Sequence, residues 1–327
     1  MRFSIIIPVK EINHYIISCV PITLQLDYPE FEILIVPNEL PEGKLPDFLH
    51  DPRVRLIASG RVSPAIKRDL AAAASRFEYL AFLDDDAYPA KDWLQVAAAY
   101  FREHNIEALG GPGMTPVGST LGEQASGLFY ETTVGGGGLV FRYRPVGRPF
   151  FVDDYPTVNL LVTKAAFNQV GGFDNNYWPG EDTKFCLDLI NSGGRILYVP
   201  ELLVWHHRRA LLMPHLKQVG GYGRHRGYFV KAFPATSLRL TYFIPSLFLI
   251  GNIGLALLSL VYIEALAVWL GLMSTYILAC FADSLLRARR LGLALLTTAV
   301  IFCSHLAYGW MFIRGLSSST HFKSHLR

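Results

Sequence analysis

"EYLAFLDDDAYPAKDWL", residues Glu78 to Leu94, ends an apolar run at Leu83 and then places three acids side by side, Asp84, Asp85 and Asp86. A short apolar run closed by turn-forming residues reads as a buried strand, here Tyr79 to Leu83. Adjacent carboxylates disfavour one another's ionised form by roughly a pKa unit or more. The triplet therefore needs open water or a positive partner, and which it has decides what the strand end can do.

Working outward, "FSIIIPV" (Phe3 to Val9), "FEILIV" (Phe31 to Val36) and "VRLIAS" (Val54 to Ser59) are further strands, the first two stopped by prolines. Helical stretches lie between them, at about Ile12 to Leu26, where Pro21 must kink or end the helix, and at Pro64 to Ser75, where a proline suits the first turn. Pro89 opens another, carrying Trp93, Ala97, Tyr100 and Phe101. Alternating strands and helices predict an α/β domain with a mostly parallel sheet. Ligands of such sheets bind beyond the carboxyl ends of the strands, where Pro8, Asn38, Ser59 and Asp84 to Asp86 all fall. From Gly110 to Pro156 the periodicity weakens, and the reading is a loop, either mobile over a cleft or plain surface. Val158 to Asp174 resumes as strand, short helix and glycine turn. Glu181 and Asp182 open a further helix, where acids suit the helix dipole. Gly193 and Gly194 close it, and Arg195 to Pro200 is another strand.

The 327 residues are 51% hydrophobic, and the surplus is concentrated late in the chain. Tyr242 to Ala282 holds a single acid, Glu264, and Leu291 to Ile313 is a second apolar stretch. A bilayer crossing takes about 20 apolar helical residues, so the two stretches predict about three crossings. Met1 to Val9 is too short an apolar run for a signal peptide. The 4 cysteines lie far apart without a C-x-x-C pair, so neither a disulfide framework nor a cysteine metal site is expected. Net charge is only +3, yet between Trp205 and Leu240 the charged residues are all basic: Arg208, Arg209, Lys217, Arg224, Arg226, Lys231 and Arg239. Next to an apolar stretch, such a segment predicts anionic headgroups as its partner and not nucleic acid.

Two acidic sites remain, Asp84 to Asp86 and Glu181 with Asp182. An aspartate triplet offers hard oxygen ligands of the kind Mg2+ takes alongside water and phosphates. "SIIIPVKE" at Ser4, "FEILIVPNE" at Phe31, "AIKRDLAAA" at Ala65, "FLDDDAYPAKDWL" at Phe82, "VGGFDNNYWPGED" at Val170 and "VWHH" at Val204 occur in that order. From Arg2 to Arg209 the chain thereby resembles the family 2 glycosyltransferases, inverting GT-A enzymes that use nucleotide-sugar donors.

The resemblance implies roles. Pro8, Lys10, Glu11, Asn38, Arg68, Asp84 and Asp85 would meet the nucleotide-sugar, with a UDP-sugar favoured. Asn38 stands where the family often has an acid, and Asp69 replaces an asparagine common beside Arg68. Asp86, Asp84 and His206 would hold Mn2+ or Mg2+, with His207 close behind. Asp182 would be the general base, and Glu181 and Trp178 would contact the acceptor. The Q-x-x-R-W motif of processive synthases is missing from the sequence, which favours transfer of one sugar over a polymerising synthase. A degenerate domain that only binds nucleotide at the membrane is the non-enzymatic reading.

The resulting expectation is a GT-A domain over 1–209, a basic interfacial segment over 210–240, an all-α transmembrane region over 241–315 and a polar tail over 316–327. The protein would be a multi-pass component of the cytoplasmic (inner) membrane with its catalytic domain in the cytoplasm, where Arg287 to Arg290 also fall by the positive-inside tendency. It would glycosylate a lipid-linked or glycan acceptor in cell-envelope glycan synthesis.

Overall fold

In the computed structural model, which describes residues 1–43, 45–177 and 179–319, the chain forms two compact units. The first comprises residues 1–116 and 144–207. Its elements are β1 (Phe3–Pro8), α1 (His14–Thr23), β2 (Phe31–Val36), β3 (Val54–Leu56), α2 (Pro64–Ala74), β4 (Tyr79–Leu83), β5 (Ala87–Pro89), α3 (Trp93–Glu103), β6 (Ala108–Gly110) and β7 (Gly113–Met114). The second unit takes over with α4 (Leu121–Glu131) and α5 (Thr133–Gly136) before the first resumes. There follow β8 (Phe150–Val152), β9 (Asn159–Thr163), α6 (Lys164–Gln169), α7 (Glu181–Asn191), β10 (Ile196–Tyr198) and β11 (Val204–His206). The second unit then carries α8 (Met213–Ala232), α9 (Pro234–Ser237), α10 (Leu240–Leu258), α11 (Ile263–Ala288) and α12 (Leu291–Ser317).

The main sheet has 8 strands in the order β3-β2-β1-β4-β9-β6-β10-β8. Pairings on the β3 to β4 side are all parallel, with Phe3 opposite both Phe31 and Tyr79, while β9 runs antiparallel to β4 and β6. Every residue of β1 and β2 is buried, which is why these strands read as continuous apolar runs and not as alternations. The strand order reverses direction about β1, between β2 and β4, and in sheets of this kind ligands bind at the carboxyl ends beside such a reversal. A smaller sheet, β5-β11-β7, begins immediately after the aspartate triplet.

The segment expected as a loop after Gly110 instead contains α4, and contacts place residues 117–143 in the second unit and not in the 1–209 domain. Thr120 and Glu123 form a capping box: Thr120 Oγ1 accepts the Glu123 N–H and Glu123 Oε2 accepts the Thr120 N–H. The buried residues of this helix, Ala125, Ser126, Gly127, Leu128, Phe129 and Tyr130, follow one another all round its axis, so no one-sided helical period marks it. Two polar links fasten it and its neighbour. His215 of α8 bonds Ser126 Oγ at 2.7 Å and Ser304 Oγ of α12 at 2.9 Å, and Asp283 of α11 accepts the Val134 N–H at 2.9 Å.

Helices α10, α11 and α12 are each long and apolar enough to cross a membrane, as the sequence predicted. They differ in setting: 6% of the apolar window is buried in α10 and α11, against 44% in α12. The basic segment forms α8, and its glycines lie along α12. A Cβ on Gly223 would stand 2.6 Å from the Tyr308 carbonyl oxygen, and one on Gly227 would strike that of Phe312. Small residues here let two helix backbones approach closely. Gly227→Ala should therefore cost roughly 1–3 kcal/mol by overpacking, read as a lowered melting temperature of the detergent-solubilised chain. Gly251→Ala on α10, where a Cβ would meet nothing within 4 Å, serves as the control.

Candidate active site

Strand β4 ends at Leu83 and the triplet follows in the turn that leads into β5, at the carboxyl end of the strand. Each acid meets a different partner. Asp84 Oδ1 accepts from Arg68 Nη2 at 2.9 Å, Asp85 Oδ2 from Asn13 Nδ2 at 2.7 Å, and Asp86 Oδ1 lies 3.1 Å from His206 Nε2. The local fold forces the last approach. The Asp84 carbonyl accepts the Ala87 N–H to turn the chain into β5, β5 pairs antiparallel with β11, and the Asp86 carbonyl accepts the His207 N–H at 2.9 Å.

Asp84, Asp86 and His206 can each offer one ligand atom within 4.8 Å of the others. Two carboxylates and an imidazole fit a divalent cation that prefers oxygen and tolerates nitrogen. Asp86 is 1% exposed, and a carboxylate so buried calls for positive charge beside it. His207 turns elsewhere, its ring 5.1 Å from that of Tyr15.

Arg68, on α2, is 4% exposed and joins the two acidic sites: Nη1 donates to Glu181 Oε1 at 3.0 Å while Nη2 holds Asp84. Glu181 sits at the start of α7 behind Gly180, whose φ of 119° suits glycine and whose N–H donates to Glu181 Oε2. Burial, and secondly the charge of Asp182, push the Glu181 carboxyl up to about 7 against the pull of Arg68. Asp182 is half-buried, with Oδ1 accepting the Thr183 N–H at 2.7 Å. Of the two helix-start acids, Asp182 is the more open.

Pro8 and Asn38 lie at the carboxyl ends of β1 and β2, and the Lys10 and Glu11 side chains just beyond β1 are exposed. Trp178 and residues 320–327 of the polar tail lie outside the described residues. Sequence reading passed over Lys67, whose ammonium donates to the Val9 carbonyl and, at 2.6 Å, to Asn38 Oδ1. Burial pushes Lys67 down to about 8, with Asp85 opposing. Its signal was there: Lys67, Arg68 and Asp69 interrupt a helix otherwise of alanine and aliphatic residues. Asn13 and Asp154, which accepts from Thr183 Oγ1 at 3.2 Å, were also missed, and spacing alone gives no sign of either pairing.

Two family models match: glycosyl transferase family 2 over residues 4–137 and glycosyl transferase family group 2 over residues 79–314. The chain belongs to the family 2 glycosyltransferases. Among curated relatives, it is 32% identical over 160 residues to the pre-mycofactocin glycosyltransferase of Mycobacterium tuberculosis, a match covering 49% of this chain and 33% of that protein. The chain thus spans about a third of that relative's length. It is 24% identical over 242 residues to a dolichyl N-acetyl-alpha-D-glucosaminyl phosphate 3-beta-D-2,3-diacetamido-2,3-dideoxy-beta-D-glucuronosyltransferase of Methanococcus voltae, covering 70% of this chain and 74% of the relative.

The mannosyltransferase PcManGT from Pyrobaculum calidifontis, solved with GDP-Man and Mn2+, superposes with a TM-score of 0.56 at 17% identity, covering 97% of this chain and 88% of that one. GalNAc-T7, solved with UDP, GalNAc and Mn2+, gives 0.50 at 14% identity over 73% and 51%. These likenesses show the GT-A fold of a family 2 chain.

The Glu181 carboxyl makes a testable contribution to stability. An unfolded glutamate titrates at its ordinary 4.5, the folded one at about 7, so the folded chain holds more protons between those values. The contribution is complete below about pH 4.5 and is lost as pH rises through about 7. The melting temperature should fall between pH 5 and pH 8, and Glu181→Gln should shrink that fall. Equal falls in both proteins would contradict the assignment.

Proposed function

We propose that the chain is a membrane-bound, divalent-metal-dependent inverting glycosyltransferase that moves one sugar from a nucleotide-sugar, a UDP-sugar above others, to a lipid-linked or cell-surface glycan acceptor. The observation that carries this reading is the joining of two acidic sites by Arg68: Asp84, with Asp86 and His206, on one side and Glu181, beside Asp182, on the other. The names of the relatives support sugar transfer, and that of the Methanococcus voltae protein supports a lipid-linked acceptor.

Asp84, Asp86 and His206 would hold Mn2+ or Mg2+. When bound, the ion neutralises the charge of the departing nucleoside diphosphate. The remaining steps belong to the chain's own groups. Lys67 fixes the Asn38 side chain at the strand ends where the nucleotide binds, and Pro8, Lys10 and Glu11 border the same place. An acceptor hydroxyl is too weak an acid to ionise near neutral pH. The Asp182 carboxylate takes its proton as the new bond to the anomeric carbon forms. Attack comes from the face opposite the leaving diphosphate, so the anomeric centre inverts without a covalent enzyme intermediate. Arg68 holds Glu181 against the start of α7 and so fixes Asp182 beside it.

The three apolar helices and the exposed Lys217 and Lys231 of α8 support attachment to a membrane with anionic headgroups, whereas Arg226 of the same helix is buried over the Tyr242 ring. A cytoplasmic catalytic domain follows from the donor, since nucleotide-sugars are made there.

The test uses the full chain in detergent with UDP-glucose, UDP-galactose, UDP-N-acetylglucosamine and GDP-mannose, each with Mn2+ or Mg2+. One of them should raise the melting temperature and give nucleotide release, and EDTA should abolish both. Asp182→Asn should lower turnover by about 100-fold or more while leaving donor binding intact. Asp86→Ala should remove the metal dependence of donor binding. Undiminished turnover in either variant, or in EDTA, would sink the reading.

A further inference from the structure

Three successive residues of α2 reach three different parts of the first unit. Lys67 bonds the ends of β1 and β2, Arg68 bonds Asp84 and Glu181, and Asp69 reaches the turn that precedes α7. The first two belong to the candidate site. The third hydrogen-bonds outside that site and is half-buried, yet its geometry is closely fitted.

Asp69 Oδ1 accepts the Phe173 N–H at 3.0 Å. The residue before, Gly172, has φ +78°, and a Cβ there would stand 2.7 Å from the same oxygen. Only glycine admits both the backbone conformation and the approach of the carboxylate. Phe173 is then fixed at its ring as well as its backbone. The ring lies 5.2 Å from that of Phe82 on β4 and 4.9 Å from that of Phe185 on α7, with the Arg68 guanidinium 5.8 Å above it. Phe82 stands two residues before Asp84, and Phe185 three residues after Asp182. Phe173 is therefore the spacer between the strand that carries the metal-site acids and the helix that carries the proposed base.

We propose that Asp69 is a positioning residue for sugar transfer: by pinning the Gly172–Phe173 turn it sets the placement of Asp182 relative to Asp84 and Asp86. The proposal rests on the transfer activity proposed above. Burial pushes the Asp69 carboxyl up to about 6, while the Phe173 N–H and the Arg68 charge pull it back. The contacts that orient the turn are thus those that keep Asp69 ionised at neutral pH. An asparagine there would offer the same acceptor oxygen without a charge.

A base displaced by an ångström loses turnover far more than donor binding, since the donor's contacts lie elsewhere. Asp69→Ala should lower kcat about tenfold or more, with the KM for the active nucleotide-sugar of the panel within about twofold. Asp69→Asn should restore kcat to within about twofold of the starting protein. Gly172→Ala, which keeps Asp69 but denies its approach, should reproduce the Asp69→Ala loss. A readout independent of activity is hydrogen exchange of the Phe173 amide in the full chain, protected in the parent and Asp69→Asn and faster by about tenfold in Asp69→Ala. Should Asp69→Ala fail to fold, Asp69→Ser and Gly172→Ala answer the same question. Unchanged kcat in the turn variants, an Asp69→Asn as impaired as Asp69→Ala, or an unprotected Phe173 amide in the parent each overturns the proposal. A parent chain that turns over none of the four nucleotide-sugars overturns the function reading and this proposal with it.

Discussion

The first unit depends on one buried guanidinium. Arg68 is held between Asp84 and Glu181, two acids that lie on different elements and 97 residues apart in sequence. Burying such a group is expensive, and its return comes from having a carboxylate on each side. The arrangement adds little net stability compared with a well-fitted apolar core. Its effect is geometric: with one partner gone, a charge would be left stranded, at a cost of about 3–5 kcal/mol. The end of β4 and the start of α7 are therefore tied to one register, and every group placed by those elements inherits it.

The aspartate triplet shows how a local electrostatic problem is solved at long range. Three adjacent carboxylates disfavour one another's ionised form, and the turn between β4 and β5 takes each to a partner of its own. One goes to a guanidinium, one to an amide that also caps a helix, and one to the imidazole brought by the second sheet. Asn13 serves twice, since its Oδ1 accepts the Ile16 N–H at the start of α1 while its Nδ2 holds Asp85.

Much of this was legible in the sequence, for a physical reason. Fully buried parallel strands and long apolar helices leave dense one-dimensional signals, so β1, β2, β4 and the three long helices of the second unit stand near their expected places. Residues 117–143 were misread because the buried residues of α4 run consecutively from Ala125 to Tyr130 and mark no single face, and only the Thr120–Glu123 pair marked its start. The basic stretch over 210–240 drew attention to its charge, whereas its glycines determine its packing against α12. At the site, the acids were visible as acids. Their partners Asn13 and Lys67 were not, because pairing across tens of residues depends on the fold and leaves no periodic trace. The nearness of His206 to Asp86 followed from family resemblance and had no basis in spacing.

The contrast between α12 and its two neighbours bears on how freely each can drift over generations. Carbonyl oxygens of α12 lie against the glycines of α8, so even a methyl group there has nowhere to go. Most of α10 and α11 faces outward, where one aliphatic residue serves as well as another of similar hydropathy. Related chains should hence keep Gly223 and Gly227 of α8, and Gly309 and Gly315 of α12, whose added Cβ atoms would also strike backbone, and keep α10 and α11 only in their oiliness, although the three long helices look alike on a hydropathy plot.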